Sequence, residues 1–184
     1  MPLKNDCDPR EGDRIMDHIN VKVFVDPASP VNPADSVAAF HRWIKEGNVC
    51  PEILIDVAEY LHVPAGPGVL LIACEANYSL DNRENRLGLL YNRKTTLEGT
   101  FQEKLAQAHK SALAACDRLE QEPEFGGKLK FDRKTLEVFI NDRLLAPNTE
   151  ATWQKLKPEL QTYFPGAKLE HVGEPRDLFR VSVT

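Results

Sequence analysis

In this 184-residue chain the side chain best placed for chemistry by type and context is Glu75. With period-two alternation, Glu75 follows Val69, Leu71 and Ala73 along one face of a strand read over Val69–Tyr78. Both faces are apolar at the start of that strand, and Glu75 stands where the apolar run fades. A carboxylate there is either ion-paired, with Arg86, Arg93 or a helix cation as partner, or poised with a raised pKa, and both arrangements cost stability. A poised Glu75 would serve acid–base chemistry as the base, with His41 or His62 assisting. His41 falls four residues after Val37 and three before Ile44, on the apolar stripe of an expected helix. An imidazole there serves as base or ligand, or as an ordinary core histidine bonded to a carbonyl. His62 precedes a Pro-Gly turn and belongs near a sheet end, where a plain surface histidine is equally at home.

Binding chemistry has its own candidates. Arg86, Tyr91 and Arg93 occupy one expected strand, Arg86–Lys94, behind the charged loop Asp81–Arg86, whose donors could hold a polar ligand. Arg143 sits in Asn141-Asp142-Arg143, ahead of Pro147-Asn148 and a helix start, where a cation and a helix N-terminus together suit an anion. The same Asx residues also serve as ordinary turn formers and caps.

Several classes of site find no pattern. His41, Cys50, His62, Cys74 and Glu75 are suitable ligand types but lack His-x3-His or Cys-x2-Cys spacing, so no metal and no cofactor is expected. Cys74, flanked by apolar residues, reads as inert, and no Gly-x-Ser-x-Gly elbow appears. Gly66-Pro67-Gly68 leads into a strand rather than a helix, which fits a rigid turn and not a phosphate loop.

The elements that must position these residues follow from periodicity. Ile19–Val25 alternates as a strand. Asn32 caps a helix with Pro33 at its start, a stripe of Val37, Phe40, His41 and Ile44, and Gly47 at its end. Ile53, Ile55 and Val57 suggest a second strand; Val69–Tyr78 and Arg86–Lys94 follow, joined by Ser79–Asn85. Thr100 and Glu103 form a capping box for a helix with Phe101, Leu105, Ala108, Ala112, Ala115 and Leu119 inward. A hairpin of Lys128–Phe131 and Leu136–Ile140 turns at Asp132-Arg133-Lys134. A third helix from Asn148-Thr149 carries Trp153, Leu156, Leu160 and Phe164 and is expected to kink or break at Pro158. Lys168–Val172 and Leu178–Val183 close the chain.

The resulting order, β-α-β-β-β-α-β-β-α-β-β, reads as an α+β two-layer sandwich. Its sheet is mostly antiparallel or mixed, with three helices on one face and room for one parallel crossover at the start. Residues 1–18 read as a flexible arm before a single domain over 19–184, with Met16 as an alternative translation start.

Composition bounds the partners. The chain is 42% hydrophobic and 28% charged with a net charge of −5, ordinary for a globular protein and opposed to nucleic-acid binding. No apolar stretch suits a membrane span or signal peptide, and four cysteines without paired spacing fit a reducing cytoplasm. The expectation is a non-catalytic module binding a small molecule or a protein, with acid–base catalysis at Glu75 as the alternative. An edge strand such as Leu178–Val183 could further pair two copies into a homodimer.

Overall fold

Alternation in Ile19–Val25 does form a strand, β1, and it lies in the middle of an eight-stranded sheet. The computed structural model describes residues 17–47 and 50–184. Residues 1–16 of the expected arm, Met16 among them, lie outside the described residues. Its last two residues are anchored: Lys104 donates to Asp17 at 2.6 Å, and the His18 carbonyl accepts from the Asn141 amide.

The remaining elements are α1 (Ser36–Glu46), β2 (Leu54–Tyr60), β3 (Gly68–Ala73), β4 (Ala76–Asp81), β5 (Gly88–Arg93), α2 (Phe101–Leu119), β6 (Phe131–Ile140), α3 (Glu150–Tyr163), β7 (Leu169–Val172) and β8 (Phe179–Val183). The sheet order is β2-β3-β4-β5-β1-β6-β8-β7, and every neighbouring pair is antiparallel. The expected α+β two-layer sandwich is therefore what forms. Four antiparallel steps through β3, β4 and β5 leave β1 and β2 parallel, so β1, α1 and β2 make a split crossover with three strands between its ends. One hydrophobic core joins the inward side chains of all three helices to those of the sheet, from Ile19 to Val183.

Four local expectations change. The Val69–Tyr78 segment is not one strand: it reverses at Cys74-Glu75 into β3 and β4, and β4 runs on into the expected loop. An apolar run conceals such a reversal when no Gly, Pro or Asn marks the turn. Conversely, Asp132-Arg133-Lys134 does not reverse the chain. The Asp132 carboxylate does accept from the Lys134 amide as in a turn, but β6 resumes its direction as a bulge, with Leu136 opposite Val23 and Phe131 opposite Val25. In α1 the buried residues are Ser36, Ala39, Phe40 and Trp43, and His41 is exposed. Trp43 sets this phase: it buries the largest apolar surface on the helix, and its indole N–H donates to the buried Glu122 carboxylate at 2.8 Å. Helix α3 continues through Pro158, so of the kink or break expected there the break does not occur.

The sheet's two ends differ from expectation as well. β8 lies between β6 and β7, so it offers no edge for pairing two copies; β2 and the four-residue β7 are the edges. The capping box at Thr100 and Glu103 forms as read, and it holds the Glu103 carboxyl below its usual range through the Thr100 backbone N–H. Gly68 opens β3 at φ +66°, where a Cβ would stand 2.0 Å from the Leu80 carbonyl oxygen. No helix among the described residues is long and apolar enough to cross a membrane.

Candidate functional site

The helices cover one face of the sheet, and the middle strands carry polar side chains on the other. In β1, Val21, Val23 and Val25 join the core, which leaves Asn20, Lys22 and Phe24 on the uncovered face. Register extends this pattern sideways. Asn77 of β4, Asn92 of β5, Asn20 of β1, Phe139 of β6 and Arg180 of β8 form one row across five strands. Ser79, Leu90, Lys22, Glu137 and Ser182 form the next.

A cavity of about 310 Å³ opens over these rows, at the small end of the range that holds organic ligands. Asn20, Lys22, Leu90, Asn92 and Phe139 line it from the sheet. The loop between β4 and β5 contributes Arg83, Glu84 and Arg86, and the segment after β6 contributes Asn141 and Arg143.

Its charges are mostly paired. Lys22 Nζ donates to Asp81 Oδ1 at 2.5 Å, with the two residues only 3% and 1% exposed. Burial pulls the Lys22 pKa below the usual lysine range, opposed by the Asp81 carboxylate. Arg86 donates to Glu137 Oε1 at 2.7 Å while its guanidinium lies 3.7 Å over the Phe24 ring. Arg180 Nη1 donates to Glu84 Oε1 at 2.7 Å and approaches Glu137 Oε2 at 3.7 Å. Such pairs fix the walls rather than add much stability, since desolvation offsets their attraction.

Unmet bonding capacity remains in the same place. Asn92 Oδ1 and Arg180 Nε are buried with no hydrogen-bond partner, as is Asn77 Oδ1 beside them in the row. Arg143, exposed at the cavity's edge, makes no ion pair with any of the described residues. A buried polar atom left unpaired costs roughly 1–3 kcal/mol, so these atoms mark where a bound group would be stabilised.

The residues singled out in the sequence are divided by the structure. Arg86 and Arg143 both line the cavity. Tyr91 and Arg93 point to the opposite, helix-covered face. There Tyr78 Oη donates to Glu52 Oε2 at 2.6 Å, Tyr91 Oη donates to Glu52 Oε1 at 3.0 Å, and Gln107 Nε2 donates to Tyr91 Oη at 2.9 Å. Burial raises the pKa of both tyrosines and pushes the neighbouring Cys50 thiol up to about 12. That cluster ties the segment before β2 to the sheet.

Glu75 occupies the turn between β3 and β4 and is half-buried. Its backbone carbonyl accepts from Lys94 and Thr95, and its Oε2 has no hydrogen-bond partner among the described residues. His62 lies beyond the other end of β3, across about 17 Å of strand. His41 faces solvent on α1. The three are not brought together. Cys74, expected to be inert, is exposed in the same turn as Glu75. Among the described residues no group of three or more His, Cys, Asp or Glu side chains is arranged to hold a metal ion.

Sequence reasoning missed Lys22, Asp81, Asn92, Glu137 and Arg180. Alternation places Lys22 and Glu137 on the polar faces of their strands, which reads as solvent exposure in a single strand. Only the pairing of β4, β5, β1, β6 and β8 gathers these faces into one concavity. Comparison with known proteins adds no assignment: no family model matches the chain, and no curated protein matches it in sequence.

Proposed function

We propose that this chain is a non-catalytic binding domain that holds a small polar molecule in the cavity on the uncovered face of its sheet. One observation carries this reading. Asn92 Oδ1, an acceptor, and Arg180 Nε, a donor, are both buried, unpartnered and set around the same cavity. A surface meant only for solvent has no need to bury such atoms. Most of the surrounding carboxylates and cations are held in ion pairs, which suits holding a ligand in a defined pose better than transferring protons to it. Three free thiols, Cys50, Cys74 and Cys116, fit a reducing cytoplasm as the place of action. With β8 inside the sheet, a homodimer has no support from that strand.

The test is a 1H–15N NMR titration of the full chain with small polar compounds spanning organic acids, amino acids, amines and sugars. Binding should shift the resonances of Asn20, Asn92, Phe139 and Arg180 and leave the helix-covered face unchanged. Asn92→Leu, which fills the row with an apolar side chain, should remove the response. Shifts confined to other surfaces, or none with any compound, would defeat the proposal.

A further inference from the structure

We infer that the molecule held in this cavity is an organic carboxylate carrying a hydrogen-bond donor, an amino or hydroxyl group, at its far end. The inference rests on reading the cavity as a binding site and adds the class of ligand. The anionic end follows from charge. Five cationic residues and four acidic ones line the cavity; Lys22, Arg83, Arg86 and Arg180 share Asp81, Glu84 and Glu137, and Arg143 and Asp177 have no ion-pair partner among the described residues. Arg180 Nε, also unpartnered, comes from β8, the strand on the far side of β6 from β1. A planar carboxylate matches guanidinium donors in geometry and supplies the single negative charge that balances the surplus.

The donor end follows from the opposite side of the cavity. Asn92 Oδ1 on β5 is a buried acceptor, and Asn77 Oδ1 on β4 continues the same row. Only a group bearing N–H or O–H can satisfy an amide oxygen. Strands β5 and β8 stand three positions apart in the sheet, about 14 Å at the usual strand spacing, part of which the long Arg180 and Arg143 side chains span. One small group therefore cannot meet both ends, and a bifunctional molecule can. Between the ends lie Asn20 and the Phe139 ring, a surface suited to a short methylene chain.

Competing classes fit less well. Inorganic phosphate offers no second end and would bring a larger negative charge beside Glu84 and Glu137. A neutral sugar leaves the surplus positive charge unmatched. A nucleotide brings two or more negative charges to a lining whose surplus is one.

The experiment uses the full chain with glycine, 4-aminobutyrate, 4-hydroxybutyrate and 6-aminohexanoate. Butyrate, butylamine, 1,4-butanediol and inorganic phosphate serve as comparators, all followed by NMR titration. At least one of the longer bifunctional acids should bind roughly tenfold or more tightly than butyrate or butylamine, the gain expected of one added charge-assisted bond. Arg143→Ala, at an exposed position, should cut that affinity about tenfold and leave the weak binding of butylamine unchanged. If butanediol or phosphate binds best, the carboxylate class is wrong and the site itself stands. The carboxylate class is equally wrong if none of these probes shifts Asn20, Asn92 or Phe139 while the broader set of polar compounds does. If neither set shifts them, the binding reading falls together with the ligand class.

Discussion

Lys22 and Asp81 form a buried ion pair although their strands, β1 and β4, are not neighbours; the lysine side chain crosses the intervening β5 above Gly88. A Cβ at Gly88 would stand 2.7 Å from the Val23 carbonyl oxygen and 3.0 Å from Lys22 Cε. The backbone oxygen cannot give way as a side chain could. Gly88→Ala should therefore destabilise the protein by about 1–3 kcal/mol, read as a lower urea midpoint with an unchanged slope. Asp81→Ala, which strands the lysine, should cost more, about 3–5 kcal/mol. Replacing both partners by Lys22→Met and Asp81→Leu should recover most of that loss, and a double variant no better than Asp81→Ala would contradict the pair's role.

On the opposite face, Glu52 receives both buried tyrosine hydroxyls. Glu52→Ala should leave the Tyr78 hydroxyl without its carboxylate acceptor and the Tyr91 hydroxyl with only Gln107 Oε1 at 3.3 Å, lowering stability by about 2–5 kcal/mol, while Tyr78→Phe removes only one bond and should cost about 1–3 kcal/mol. Thermal unfolding of the two variants checks the order. Equal losses would show that the carboxylate does not serve both rings.

His109 provides a pH dependence whose sign is fixed. The ring is half-buried on α2, with its Nδ1 3.2 Å from Tyr163 Oη and the Phe164 ring alongside. Burial lowers its pKa from 6.5, so below that value the unfolded chain binds more protons than the folded one. Stability from this group is present above about pH 6.5 and is lost as the pH falls towards the folded-state value. His109→Gln should flatten the change in urea midpoint between about pH 7 and pH 5 relative to the unaltered chain. An unchanged slope would mean that other groups carry it.

Thiol reactivity should sort the described cysteines by burial. Cys74 is exposed in a hairpin turn, Cys116 is fully buried on the inner face of α2 with its pKa raised well above 9.0, and Cys50 is pushed up to about 12. Alkylation at neutral pH, mapped by peptide mass, should modify Cys74 and leave the other two until the protein is unfolded.

The β2 edge carries Ile53 and Ile55 in the open, 68% and 54% exposed, yet it is guarded. Its register shifts between Leu54 and Asp56, and the Asp56 carboxylate accepts from the Val57 amide, occupying a donor that an added strand would need. The chain should elute as a monomer by light scattering at 20.7 kDa. Asp56→Val should promote association, and a dimer of the unaltered chain would show that the guard fails.

The correct and incorrect expectations divide by the range of the forces involved. The α2 capping box, β1 and the glycine after α1 were legible because bonds within a few residues decide them. The reversal at Cys74-Glu75 and the continuation of β6 past Lys134 were not, because the neighbouring strands choose between a turn and a bulge. His41 misled for a similar reason: a stripe of Val37, Phe40 and Ile44 allows several helix phases, and Trp43 with its Glu122 partner selects one. Arg86 and Arg143, singled out as cations near strand and helix ends, line the cavity, whereas Lys22 and Glu137 alternate onto the polar faces of their strands, which by itself carries no signal.

What the sequence alone determined is the class of fold and the absence of familiar motifs: helical and strand periods, caps and composition are written in short windows. The tertiary structure alone decided the cavity. Asn92, Lys22 and Arg180 are separated by tens of residues and meet because antiparallel register sets β5, β1, β6 and β8 side by side. Glu75 lost its two histidines by the same cause, since β3 holds one of them about 17 Å away and α1 turns the other to solvent. Spacing along a chain fixes local geometry; the distance between two charges depends on how the strands between them pair.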